Sequence, residues 1–409
     1  MLAHSPPLPL IIDHDDENQD LTAEDEKGIM IALQHRDRVR RIYLRMPVPS
    51  LQKLITAMDD QFPMLEYLNI TPPTNHDAHL VLPSTFEAPQ LTYIILNHIA
   101  SPIGSLLLTT AVSLVKLSLR WIHPSTNLYP NHLFQALSFL PQLQVLAITF
   151  SSPVPNREIE GHMFRTPNMT HITLPNLQSF DFGGVSAYLE AFLSHMNAPL
   201  LESLNLSFFN QLSFSVPHLR QFVTTTENLR ASSVRFLFYN KAVAVFMYLS
   251  VTAPEHTLYI HVGCEHLDWQ VSSMAQIFNV PGPLFSAVMD LTLDYRSHTP
   301  SSGLHNQADR TQWRELLGSF RNVETLRVHD GLVGELSCCL ALDGESPSEI
   351  LPELKKIVCP MGSRDDKTFA AFVHDREVAG LPIDLIEDVF PTGKYEYMFK
   401  TSTGVDYVS

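Results

Sequence analysis

The densest group of side chains able to ligate a metal is His261, Cys264 and His266, with His256 nearby. Imidazole and thiolate are the donors zinc favours, and structural sites close four of them into a tetrahedron from paired, short-spaced ligands. The spacing here matches no such pairing and supplies no evident fourth ligand. In a chain with 19 histidines these positions read as packing and surface residues, and no metal is expected. A second group, Asp13, Asp15, Glu17 and Glu24, falls at positions 1, 3, 5 and 12 of a calcium-loop template. Position 6 is Asn18 where the template needs glycine, and Pro7 and Pro9 forbid the preceding helix. The expectation is a solvated acidic loop from Ile12 to Glu26.

Nucleophile and phosphate motifs are missing. There is no Gly-x-Ser-x-Gly elbow, no Gly-x-x-x-x-Gly-Lys-Ser/Thr cradle and no His-Glu-x-x-His pair. No catalytic residue is assigned, and the reading is non-enzymatic with no cofactor. A hydrolase on an open α/β sheet is the less favoured alternative, since triads are defined by geometry rather than by sequence.

Composition narrows the partners. The formal charge is −16, and no run of Lys or Arg forms the basic footprint that nucleic acid requires. The strongest apolar run, Ala242 to Val251, is too short to cross a bilayer, and Met1 to Leu10 lacks a basic signal-peptide region. Four cysteines (Cys264, Cys338, Cys339, Cys359) make no disulfide framework. The expectation is an intracellular chain, cytoplasmic or nuclear, with no membrane and no nucleic-acid partner.

What would position any functional side chain is a repeat. The pattern apolar-x-x-apolar-x-apolar recurs as Val39/Ile42/Leu44, Leu65/Leu68/Ile70, Leu91/Ile94/Leu96, Leu114/Leu117/Leu119, Leu143/Leu146/Ile148, Leu177/Phe180/Phe182 and Leu201/Leu204/Leu206. After a degraded copy at Leu229/Ser232/Val234 it returns as Val288/Leu291/Leu293, Val323/Leu326/Val328 and Leu354/Ile357/Cys359. A further copy is expected near Leu258 to Val262, where the residues alternate. The last two apolar positions of each copy are two apart and share one face of a short strand. Between copies, Leu51/Leu54/Ile55/Met58, Leu133/Phe134/Leu137/Leu140 and Tyr188/Leu189/Phe192/Leu193 have helical spacing. Prolines 63, 89, 141, 175, 199 and 352 stand just before strands, where a missing N–H is tolerated.

Such units cannot bury their apolar faces alone and must stack. The predicted fold is α/β, a leucine-rich-repeat-like solenoid or horseshoe, with parallel strands on the concave face and helices on the convex face. Residues 1–35 are predicted to be an acidic segment and a first helix (Asp25 to Gln34), and 36–362 the irregular solenoid. Residues 363–409 would be an atypical capping unit, with a helix near Asp366 to Val378, a strand through Ile383 to Ile386, and a closing hairpin or strand around Tyr395, Tyr397 and Phe399. The apolar edge at Val39, Ile42 and Leu44 is expected to be open, favouring instability or self-association.

Several segments carry a resemblance: Ser5-Pro-Pro-Leu-Pro-Leu-Ile-Ile-Asp13, Arg36-Asp-Arg-Val-Arg-Arg-Ile-Tyr-Leu-Arg-Met46, Leu51-Gln-Lys-Leu-Ile55, Phe62-Pro-Met-Leu-Glu-Tyr-Leu68 and Phe369-x-x-Phe-Val-x-x-Arg-x-x-Ala-Gly-Leu-Pro-Ile383. In this order they resemble the fungal, mushroom-type F-box proteins with degenerate leucine-rich repeats. The resemblance implies a substrate-selecting role in a ubiquitin ligase. The F-box that would dock a Skp-type adaptor is absent from this chain, so that partner is expected only if an upstream F-box exists. The alternative is a stand-alone interaction scaffold or a decayed paralogue.

On either reading a protein target would touch the residues alternating with the buried ones. The candidate partner-binding residues are Arg41, Tyr43, Arg45, Tyr67, Asn69, Tyr93, Asn97, Lys116 and Arg120, with Ser118 between the last two. Later strands would present Ser179, Asp181, Ser203, Asn205, Asp290, Thr292, Asp294, Arg327 and His329. The early half is basic and tyrosine-rich in an acidic chain, a composition enriched in binding hot spots. The same residues could equally be ordinary solvated strand positions paired with their neighbours.

Overall fold

The structure is a computed structural model that describes residues 8–15, 22–73, 80–100, 105–123, 128, 130–151, 171–211, 213–250, 252, 255–278, 285–296, 310–329, 332–340, 350–360 and 367–388. Its strands are β1 (Leu10–Asp15), β2 (Val39–Arg45), β3 (Tyr67–Thr71), β4 (Leu80–Val81), β5 (Tyr93–Asn97), β6 (Ile99–Ala100), β7 (Lys116–Ile122), β8 (Val145–Phe150), β9 (Ile172–Thr173) and β10 (Ser179–Gly184). They continue as β11 (Met196–Asn197), β12 (Ser203–Phe208), β13 (Ser233–Tyr239), β14 (Ala242–Tyr248), β15 (Leu258–Gly263), β16 (Asp290–Arg296), β17 (Thr325–Val328), β18 (Lys356–Pro360) and β19 (Asp384–Asp388). The helices are α1 (Ala23–Leu33), α2 (Val48–Thr56), α3 (Leu106–Thr110), α4 (Pro130–Leu137), α5 (Ser186–Leu193), α6 (Pro217–Thr225), α7 (Leu267–Phe278), α8 (Arg310–Leu317), α9 (Val333–Leu340) and α10 (Lys367–Val378).

The class is α/β. Among the described residues fifteen strands form one open, mostly parallel sheet in the order β1-β2-β3-β5-β7-β8-β10-β12-β15-β14-β13-β16-β17-β18-β19. The recurrent apolar triplets set its register: Ile42 pairs with Leu68, Leu68 with Ile94, Ile94 with Leu117, Leu117 with Leu146, Leu146 with Phe180 and Phe180 with Leu204. All of these are fully buried in one hydrophobic core. Side chains alternate across a strand, so in-register copies place every second residue on the core face and the rest on the other.

The prolines have a more specific part than ending helices. In Phe62-Pro63-Met64-Leu65 the Leu65 N–H donates to the Phe62 carbonyl at 3.2 Å, and Leu143, Leu177, Leu201 and Leu354 close the same turn on Leu140, Leu174, Ala198 and Leu351. Proline occupies the second position of each turn, where its fixed φ suits the geometry and no donor is needed. Each turn seats the first apolar residue of the triplet in the core before the strand begins. The helical stripes also pack as their spacing dictates, with Leu51, Leu54, Ile55, Leu133, Phe134, Leu137, Leu189 and Phe192 buried in that core.

The two ends of the sheet compare differently with the sequence expectation, and the N-terminal end departs from it. Leu10–Asp15 is not a solvated loop but a strand parallel to β2, with Ile12 opposite Ile42. Val39, Ile42 and Leu44 are therefore covered, and the expected open apolar edge does not exist there. The alternation Leu10/Ile12 was legible; the acidic residues at 13, 15 and 16 obscured it. Asp13 and Asp15 being in a strand also removes the calcium-loop geometry. At the other end α10 and β19 form where predicted, β19 pairing with β18. The residues around Tyr395, Tyr397 and Phe399 lie outside the described residues.

The largest departure is in the middle, where a wholly parallel stack was expected. After β12 the chain passes to β13, turns back through the antiparallel β14, and returns in β15 to pair with β12. The degraded triplet is shifted by two residues. Val234 pairs with Leu291 and Phe236 with Leu293, so Ala231/Val234/Phe236 fill the positions assigned to Leu229/Ser232/Val234. Leu229 is buried separately in the short 3-10 turn Glu227–Leu229. The two crossings are clamped to each other. Arg220 of α6 donates to the last carbonyls of α7, Gln276 at 2.6 Å and Ile277 at 3.2 Å, groups that a helix end leaves unsatisfied. Glu190 of α5 accepts from the His218 and Leu219 amides at the start of α6.

Candidate functional site

The face opposite the leucine core carries the candidate residues. On its first strands the register assembles a row: Arg41 pairs with Tyr67, Tyr67 with Tyr93 and Tyr93 with Lys116. The Arg41 guanidinium lies 4.6 Å from the centre of the Tyr67 ring, and the Tyr67 and Tyr93 rings are 6.1 Å apart. Tyr93 is 41% exposed and the Arg41 side chain 44%. Stacking of a guanidinium on a ring face and tilted ring pairs are both favourable geometries.

A second line of side chains holds that row. Asn97 donates to the Thr71 hydroxyl at 3.0 Å, Thr71 to the Asn69 carbonyl oxygen at 3.0 Å, and Asn69 to the Tyr67 hydroxyl at 3.4 Å. β1 neutralises part of the expected basic patch. Asp13 sits 3.7 Å from Arg41, and Asp15 lies 3.9 Å from Arg45 while accepting from the Tyr43 hydroxyl at 3.2 Å. Burial, then the Asp15 charge and its hydrogen bond, push the Tyr43 phenol above its ordinary range. Among the described residues Lys116 has no ion pair.

Further along, Arg120 reaches from β7 across β8 to Asp181 on β10 at 3.2 Å. Ala147, on the intervening strand, carries only a methyl and leaves the path open. Asp181 also accepts from Asn205 at 2.7 Å, and Asn205 meets His256 at 3.1 Å. So Arg120, placed with the early cations by sequence, belongs structurally to a central network. Ser118, expected on the open face, is buried between Ile95 and Ala147.

In the later strands Asp294 is almost fully buried and gathers Arg235 at 2.6 Å, Arg296 at 3.6 Å and His329 at 3.8 Å, with Arg327 3.9 Å from Asp290. Desolvation holds His329 below its ordinary pKa despite the Asp294 charge. Sequence reading missed Arg235, Phe246 and Tyr259 on this face because the reversed hairpin breaks the repeat. Phe246 and Tyr259 pair in register with rings 5.0 Å apart. It also missed His98 and Trp121, whose rings stack 5.9 Å apart at 8° with left-handed φ of 56° and 58°. Residue type carries no signal for that backbone in a histidine or tryptophan.

The metal-type group does not converge. His261 meets the Ser207 hydroxyl at 3.2 Å, Cys264 is a buried thiol, and His266 packs on Trp269. Burial pushes the Cys264 thiol up to about 12, and no three His, Cys, Asp or Glu side chains among the described residues could hold an ion. No described helix is long and apolar enough to cross a membrane. What the face offers is a fixed array of rings, guanidiniums and amides spread over successive strands. No protein-family model matches the chain, and no curated protein matches it.

Proposed function

We propose that this protein is a non-enzymatic recognition scaffold, a leucine-rich-repeat-like horseshoe whose concave face holds a protein target. The observation that carries the reading is the row Arg41, Tyr67, Tyr93 and Lys116: an arginine and two tyrosines, the residue types enriched in hot spots, set side by side with a lysine on successive strands and held by the adjoining Asn69, Thr71 and Asn97. Two features support the curved shape. Triplets repeat in register along the sheet with their prolines and turns, and Ala147, Ala244 and Leu237 are buried although they lie opposite the leucine core, as the inner face of a curved sheet would make them. The resemblance in the N- and C-terminal segments supports the further reading that the target is selected for ubiquitin transfer by other subunits.

Affinity capture from a fungal extract, with and without any in-frame residues encoded upstream, tests the function. Partners lost on Tyr67→Ala plus Tyr93→Ala are expected with both forms, and a Skp-type adaptor only with a form carrying an F-box. Partners indifferent to the tyrosines would overturn the face assignment; no adaptor with either form leaves the stand-alone scaffold. Small-angle scattering tests the shape, because a compact chain of this length has a radius of gyration of about 22 Å and an open horseshoe exceeds it.

A further inference from the structure

The row on the early strands is ordered in character as well as in space. Ile11 pairs with Arg41 at one end and Lys116 with Val145 at the other, so the sequence across six strands is apolar, cation, Tyr, Tyr, cation, apolar. Parallel strands lie about 4.8 Å apart, which puts the Arg41 and Lys116 backbones about 14 Å from each other. An extended peptide rises about 3.4 Å per residue and shows every second side chain to one side, so its residues i and i+4 are also about 14 Å apart, with i+2 midway. Both cations can accept an outside carboxylate. Arg41 meets Asp13 only at 3.7 Å, and Lys116 has no ion pair among the described residues. The midpoint falls over the Tyr67–Tyr93 pair, where a ring or apolar side chain is favoured.

We infer that the scaffold's target is an extended acidic segment of the form acid-x-aromatic-x-acid, laid across β2, β3, β5 and β7. Its carboxylates meet Arg41 and Lys116, and its aromatic side chain sits on the two tyrosines. This rests on the recognition reading above and specifies its ligand.

The test uses the full chain and three labelled heptapeptides read by fluorescence anisotropy. The first is Gly-Glu-Ala-Trp-Ala-Glu-Gly, the second the same composition compressed to Gly-Glu-Trp-Glu-Ala-Ala-Gly, and the third has Lys for both Glu. The first is expected to bind in the range of about 10 to 500 μM, weakening as salt rises from about 0.05 to 0.3 M. The compressed peptide should bind several-fold more weakly and the lysine peptide about tenfold or more. Lys116→Glu should cost about tenfold, and Asp13→Asn, which frees Arg41, should tighten binding. Asp13 is exposed and Lys116 partly buried, and an unchanged urea midpoint verifies the folding of each variant. Arg327→Glu, on the later strands, should change nothing. Equal affinity for the first two peptides, indifference to Lys116→Glu, a loss on Arg327→Glu instead, or no binding at about 1 mM each overturns the inference. A captured partner that ignores Lys116→Glu would sink this inference alone. Peptide discrimination without any captured protein would leave the site standing and sink the scaffold reading.

Discussion

The early strands and the later strands present charges to the same face in opposite ways. Arg41 and Asp13 are about half exposed and loosely paired, and in the same row Tyr67 is partly exposed and Tyr93 is 41% exposed. Arg235 and Asp294 are drawn together at 2.6 Å with the carboxylate 7% exposed, and Arg296 and His329 close on the same acid. An exposed pair exchanges its partner for little free energy, whereas a buried carboxylate without its guanidinium is strongly unfavourable. The first arrangement leaves groups able to meet another molecule. The second fixes the sheet where the chain reverses direction and the parallel ladder is interrupted.

The contrast is broken most severely at Asp294. Asp294→Ala strands a largely buried Arg235 and is expected to cost about 3–5 kcal/mol in guanidinium denaturation. A cost under about 1 kcal/mol would make the later network as dispensable as a surface pair.

Acid should act on the same region. Burial holds His261 neutral with its pKa down at about 4, against an ordinary 6.5, and His256 and His329 are shifted the same way. Between those values the unfolded chain takes up the proton and the native chain does not. Stability is therefore fully present above about pH 6.5 and is lost as the pH falls toward 4, by up to about 3 kcal/mol from His261 alone. Urea midpoints at a series of pH values should show the loss, and His261→Gln should flatten it. An unaltered profile in that variant would assign the effect elsewhere.

The C-terminal end gives a third comparison, because there a buried cation is held by backbone carbonyls. Arg376 is fully buried and donates to the carbonyls of Ile350, Leu351, Pro352 and Leu354 at 3.1 to 3.4 Å, holding the turn in which Leu351 adopts a φ of 50°. Arg376→Met should cost about 2–3 kcal/mol and loosen α10 and β19 first, seen as faster amide exchange confined to those elements. Uniform loosening of the whole sheet would contradict a local cap. The smallest effect is expected at the exposed end: Asp13→Ala should change stability by less than about 1 kcal/mol, and that little should vanish in high salt.

Arg376 also shows what a sequence motif conceals. Phe372, Arg376 and Gly380 are part of the segment that carries the family resemblance, and each of them serves the fold. Phe372 is buried, Arg376 binds four carbonyls, and Gly380 takes a φ of 78° after α10. Nothing in the residue types distinguishes an arginine that ties down a turn from one that meets a partner. Arg41 and Arg120 illustrate the same ambiguity on the open face. They were legible as outward cations from their place in the triplets, yet one rests on a tyrosine ring and the other crosses a strand to Asp181.

The sequence by itself determined the repeating strands, their core side, the prolines that turn into them and the row of alternating residues on the open face. Each follows from local spacing, which fixes side-chain direction over a few residues whatever lies beyond. Tertiary structure decided the order of the strands in the middle, the covering of Val39 and Ile42 by β1, and which charges close on each other. Those depend on which distant segment wins a given edge of the sheet. For the reversed hairpin, β15 rather than β13 takes the edge of β12, with β14 antiparallel between β15 and β13 and the crossings α6 and α7 tied to each other through Arg220, an outcome that no single segment encodes.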